Sequence, residues 1–169
     1  MSTMRKAPVP DKTALAEIGE RVRGHLKANP HAYRFETDRA EIWAIGDVFD
    51  EDECDRLIAL INKTAVPSEV LAHGQTEIWR TSSSGNVDAH DPFVRSIEDK
   101  IDSLLGLPHE YGELMQGQRY EVGQEFKYHL DLFWTEADYW KDEAGRGGQR
   151  TITAMAYLND VEEGGETAF

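Results

Sequence analysis

Leu15, Ile18, Val22 and Leu26 recur at helical spacing, and Asn29-Pro30 stops the run. This predicts a first helix, preceded by a disordered lead-in over residues 1–12. Glu41 to Ile45 predicts a short strand. Asp50 followed three positions later by Glu53 has the form of a capping box, with Phe49 placed to staple onto Cys54 across the cap. Cys54, Leu57, Ile58 and Ile61 then make the buried stripe of a second helix. Ser68 to Gly74 predicts a loop, Thr76 to Thr81 a strand, and Ser82 to Gly85 another loop. Asp91-Pro92 starts a third helix, with proline at the first helical position. Phe93, Ile97, Ile101 and Leu104 continue it, and Gly106 ends it.

From about Glu113 the period changes to two. Helices precede strands, so the expected class is α+β, with 13–112 a helical region carrying some strands and 113–169 a strand-rich region. In Glu125–Phe133, Phe126, Tyr128, Leu130 and Leu132 are expected on one strand face. His129 and Asp131 fall together on the other. An imidazole and a carboxylate two apart can converge on one cation, as two-thirds of a 2-His-1-carboxylate site. His-x-Asp is by itself a weak signal, because any half-buried strand can carry these residues on its wet side.

Composition narrows the picture. The chain has 169 residues, a formal net charge of −14 and one cysteine. Such an acidic surface repels phosphate backbones, so no nucleic-acid partner is expected. A single thiol excludes an intrachain disulfide and fits a reducing compartment. Cys54 sits in the apolar stripe and is read as core rather than nucleophile. Met1 to Lys12 lacks the apolar core of a signal peptide, and no apolar run is long enough to span a membrane. A cytoplasmic location and no membrane partner are the expectations.

Three ordered blocks carry a resemblance. The first is Gln118-Arg119-Tyr120-Glu121-Val122-Gly123-Gln124-Glu125-Phe126-Lys127-Tyr128-His129-Leu130-Asp131. The second is Gly147-Gly148-Gln149-Arg150-Thr151-Ile152-Thr153, and the third is Ala156-Tyr157-Leu158-Asn159-Asp160-Val161-Glu162-Glu163-Gly164-Gly165-Glu166-Thr167. With Arg80-Thr81-Ser82-Ser83 upstream, they resemble the catalytic domain of the prolyl 4-hydroxylase α-subunit family over roughly residues 40–169. The resemblance implies a double-stranded β-helix, or jelly roll, packed by N-terminal helices, with residues 113–169 its first part. It also implies a dioxygenase that uses Fe(II), 2-oxoglutarate and O2, releases succinate and CO2, and hydroxylates a C–H bond of a peptide or small-molecule substrate. L-ascorbate is implied as the reductant of oxidised iron.

Residue by residue, the resemblance gives His129 and Asp131 as iron ligands. Tyr120 is implied to bond 2-oxoglutarate, Thr167 to line the same pocket, and Arg150 to lie near the peptide. Tyr157 shares a strand face with Thr153 and Met155 and is expected to turn its hydroxyl inward toward the co-substrate. Plainer roles stand beside these: Tyr120 and Tyr157 as core aromatics, Arg150 as a surface charge, Thr167 as a β-former. Gly164-Gly165 after Asn159-Asp160 suits a tight connection needing positive φ. The segment Trp134–Gly148, with Trp134, Tyr139 and Trp140, reads either as a substrate lid or as aromatics docked on the barrel.

The sequence departs from the family in two ways. Phe126 stands where proline hydroxylases commonly carry a tyrosine, which puts peptidyl-proline in doubt as the substrate. His25, His31, His73, His90 and His109 all precede the His129–Asp131 pair, so the distal histidine ligand has no counterpart among these 169 residues. The expectation is a C-terminally incomplete β-helix with little or no activity of its own. The alternatives are a non-catalytic β-helix that binds a peptide or partner, and a cupin-type site for another cation.

Overall fold

The computed structural model describes residues 11–68 and 80–169. The lead-in up to Pro10, the loop beyond Ser68 and most of the strand expected at Thr76–Thr81 lie outside the described residues. Among the described residues, four α-helices and two small antiparallel sheets make a mixed α+β arrangement.

Helix α1 spans Lys12–Ala28, capped by Asp11, whose carboxylate accepts from Thr13 N at 2.9 Å and Ala14 N at 3.3 Å. Helix α1 therefore begins at Lys12, inside the expected lead-in. Strands β1 (Ala32–Arg34) and β2 (Trp43–Ile45) pair as a hairpin. Helix α2, Glu51–Thr64, starts with the reciprocal Asp50–Glu53 capping box. Helix α3, Pro92–Leu105, has Asp91 as its cap and ends at Gly106 in the left-handed region, φ 65°. There a side chain would also run into the His25 ring, with a Cβ only 2.2 Å from His25 Nε2. α1 packs against α3 through that contact. The core is Val22 and Leu26 from α1, Leu57 and Ile61 from α2, and Val94 and Ile97 from α3.

The second sheet runs in the order β3 (Val66–Pro67), β4 (Ser83–Asn86), β5 (Gln116–Arg119). β4 overturns the loop expected at Ser82–Gly85. Turn-forming composition misleads here because α2 lies on this sheet so closely that only small residues fit under it. A Cβ at Gly85 would sit 2.3 Å from the Ile61 carbonyl oxygen, and one at Gly117 would sit 2.2 Å from Ile61 Cγ1. Register pairs these two glycines directly across the strands.

The strand expected over Glu125–Phe133 is realised only at its start. Phe126 bridges Arg80, and Thr81 N donates to the Glu125 carbonyl at 3.0 Å. Beyond that, no ladder forms among the described residues, and the expected apolar face is open: Tyr128 is 76% and Leu130 78% exposed. A strand is stable only when a neighbour takes its N–H and C=O groups, and alternation cannot supply that neighbour. For the same reason the jelly roll does not appear in residues 113–169, and Thr151–Leu158 has no strand assignment. Within Trp134–Gly148 a short helix α4 forms at Trp140–Arg146. No helix among the described residues is long and apolar enough to cross a membrane.

Candidate metal centre

His129 and Asp131 lie together: Nε2 is 3.3 Å from Oδ1, with both side chains partly open to solvent. The rest of each side chain is already engaged. His129 Nδ1 is 2.8 Å from the Lys127 carbonyl oxygen. A carbonyl only accepts, so Nδ1 carries the proton there and Nε2 is the nitrogen turned to Asp131. The Thr153 hydroxyl donates to Asp131 Oδ2 at 2.8 Å, leaving Oδ1 to face the ring. A neutral imidazole lone pair directed at a carboxylate oxygen is repulsive unless positive charge joins them, as a second ring proton or a metal ion. One imidazole nitrogen beside carboxylate oxygen fits a borderline divalent cation such as Fe(II). No group of three or more His, Cys, Asp and Glu side chains that could hold a metal occurs among the described residues. Three of the other described histidines are occupied in other ways: His25 under Gly106, His31 beside Asp47, and His109 with Nδ1 2.9 Å from Asp102 Oδ2, whereas His90 is exposed.

The other expected site residues fall into separate contacts. Tyr157 and Thr167 meet hydroxyl to hydroxyl at 2.6 Å, although ten positions apart, bridged by the Gly164-Gly165 turn with φ 83° and 77°. The Tyr120 hydroxyl donates to Gln118 Oε1 at 2.8 Å, on its own segment. Arg150 grips Glu113 with both arms of its guanidinium at 2.6 Å and lies over the Phe133 ring, 4.3 Å from the centroid. Its pKa is raised, first by the hydrogen bond to Glu113 and against partial burial. The Arg150 fork is thus taken up within the chain.

Three features escaped sequence reasoning. Phe126 stacks on the His129 ring, centroids 3.7 Å apart at 14°. The Gln149 side chain clamps Phe133 as a strand partner would, accepting from its N–H at 2.6 Å and donating to its C=O at 3.0 Å. Arg80, in the upstream block, donates to Ser82 Oγ at 2.9 Å and Ser84 Oγ at 2.8 Å. Burial pulls its pKa down, with Tyr120 acting in the opposite sense, and its hydrogen-bond partners among the described residues are hydroxyls rather than carboxylates. The Arg80-Thr81-Ser82-Ser83 block was the only signal for this cluster. Cys54 has its pKa raised by burial and then by neighbouring acids, as a core thiol should.

No family model matches the chain. It is 39% identical to Prolyl 4-hydroxylase 2 of Arabidopsis thaliana over 122 residues, covering 69% of this chain and 39% of that protein. It is 34% identical to Probable prolyl 4-hydroxylase 4 of the same plant over 146 residues, 83% of this chain and 47% of the relative. Probable prolyl 4-hydroxylase 3 is 29% identical across 100% of this chain and 55% of its own length. The chain spans about half, or somewhat less, of the length of the curated relatives it matches.

Proposed function

The chain belongs to a prolyl 4-hydroxylase-like family, and on that premise we propose that it carries part of the metal and co-substrate site of an Fe(II)- and 2-oxoglutarate-dependent dioxygenase. The proposed reaction is hydroxylation of a C–H bond in a prolyl or related peptide substrate, with succinate and CO2 as co-products. The observation that supports this best is the approach of His129 Nε2 to Asp131 Oδ1, 3.3 Å apart.

Fe(II) held there would supply O2 activation coupled to decarboxylation of 2-oxoglutarate. The chain's residues do the positioning. The Lys127 carbonyl fixes the proton on Nδ1 so that Nε2 stays free to ligate. Thr153 holds one Asp131 oxygen, which leaves the other to ligate a bound cation. Tyr120 donates its hydroxyl to the co-substrate once released from Gln118. Tyr157 and Thr167 offer a joined hydroxyl pair that lines the co-substrate pocket. Arg150 exchanges Glu113 for an acidic or carbonyl group near the peptide. Residues 113–169 form the first part of a double-stranded β-helix when their open strand edges are paired. L-ascorbate is the proposed reductant for iron oxidised off-cycle. With two protein ligands in place, the 169-residue chain binds Fe(II) weakly and turns over slowly or not at all.

The test is succinate release from 2-oxoglutarate under Fe(II) and O2, by a protein of the relatives' full length. His129→Ala and Asp131→Ala should each abolish it. Unchanged turnover in either variant would overturn the ligand assignment.

A further inference from the structure

Three flat groups form a column between the β3–β4–β5 sheet and the proposed metal centre. At the top is the His129 imidazole, stacked on Phe126 at 3.7 Å and nearly parallel. Below it, the Arg80 guanidinium carbon lies 4.9 Å from the centre of the Phe126 ring. The column stands on hydroxyls: Arg80 is held by Ser82 and Ser84, and Ser68 Oγ is 3.0 Å from Ser82 Oγ and 2.7 Å from Ser84 Oγ. Ser82 is 2% exposed, so this base is fixed in the packed part of the fold. The backbone adds a second tie, since Phe126 and Arg80 form a bridge that joins this segment to the sheet side.

The ring of His129 sits on a segment with no ladder around it. The hydrogen bond to Lys127 O does not by itself fix the ring's tilt about that bond. The Phe126 face removes this freedom. We propose that Phe126 and Arg80 are positioning residues that fix the plane of the His129 imidazole, so that Nε2 faces Asp131 before any ligand arrives. The purpose of this order rests on the reading of His129 as a metal ligand. An imidazole oriented in advance loses less freedom on coordination, which is how groups beyond the ligands tune metal affinity. Phe126 thus has a role that needs its ring face and no hydroxyl.

The experiment uses the 169-residue chain, labelled with 15N. The His129 ring nitrogens are read by long-range proton–nitrogen correlation at one fixed pH, and Co(II) is then titrated into the same samples. The unaltered chain should show one ring state, with Nδ1 carrying a proton toward the Lys127 carbonyl. Phe126→Leu should keep the helical circular dichroism, mix the two ring tautomers and weaken Co(II) binding about tenfold. Phe126→Tyr should preserve both, and Arg80→Met should shift both in the direction of Phe126→Leu but less. Should Phe126→Leu unfold the chain, Arg80→Met carries the test. A single Nδ1–H form with unaltered Co(II) affinity in Phe126→Leu, or in Arg80→Met where that variant carries the test, would overturn the proposal. If the unaltered chain ignores Co(II) while Phe126→Leu still mixes the tautomers, the positioning stands and the metal reading falls.

Discussion

Gly117→Ala tests how closely α2 rides on the β4–β5 pair. The new Cβ would lie 2.2 Å from Ile61 Cγ1, 2.4 Å from Cδ1 and 2.6 Å from Cγ2. Carbon atoms in good contact stand about 3.5–4.0 Å apart, so Ile61 must retreat by more than about 1 Å. It has little room, being 8% exposed on a helix whose Leu57 is 2% exposed. Overpacking of this kind costs about 1–3 kcal/mol. Ile61→Ala alone should cost about 2–5 kcal/mol by leaving a cavity. Because both changes concern one volume, the double variant should lose less than the sum, by at least about 1 kcal/mol. Gly85→Ala is the control. Its Cβ meets the Ile61 carbonyl oxygen at 2.3 Å, which is backbone and stays when the side chain is trimmed. Gly85→Ala and Ile61→Ala should therefore add to within about 0.5 kcal/mol. Urea unfolding followed by circular dichroism reads the cycle, since a loss of about 2 kcal/mol moves the midpoint by about 1 M. Strict additivity for the Gly117 pair, or equal relief for the Gly85 pair, would refute the packing argument.

Glu53 has its carboxyl held below the ordinary range, first by Lys100 and then by the Asp50 N–H. A lowered folded-state pKa stabilises fully above the unfolded value of about 4.3 and loses that contribution as pH falls through the folded value. The unaltered chain should therefore lose stability more steeply below about pH 4.3 than Glu53→Gln does, measured as urea midpoint against pH; parallel acid limbs would contradict this. Tyr120 is 45% exposed, and its hydroxyl bonds its near neighbour Gln118. Tyr120→Phe should leave the unfolding free energy within about 0.5 kcal/mol of the original while raising the KM for 2-oxoglutarate in a protein of the relatives' full length. A changed midpoint with an unchanged KM would make Tyr120 structural.

What was legible in the sequence is what is local. Asp50 with Glu53, and Asp91 with Pro92 and Gly106, announce helix ends because caps act within one turn. β4 was illegible because Ser83, Ser84 and Gly85 carry turn-like propensity. Gly85 must lack a side chain because Ile61, on another element, lies against it, and Ser84 bonds Ser68 and Arg80 instead of turning a loop. The Glu125–Phe133 strand failed in the opposite sense: its alternation is clear, yet among the described residues its backbone pairing with another segment stops at Glu125 and Phe126. His129 and Asp131 were legible as a pair because spacing two puts them side by side. Nothing local could announce the Gln149 clamp on Phe133 or the Arg80–Phe126–His129 column, which join segments 16 to 49 residues apart.

The central claim is that His129 and Asp131 together hold a divalent cation. Anaerobic titration of the 15N-labelled chain with Fe(II), watched by paramagnetic broadening, addresses it without any substrate. The account predicts broadening that begins at His129 and Asp131, reaches Thr153 and Phe126 next, and disappears in His129→Ala. Broadening centred elsewhere, or unchanged in His129→Ala, would contradict it.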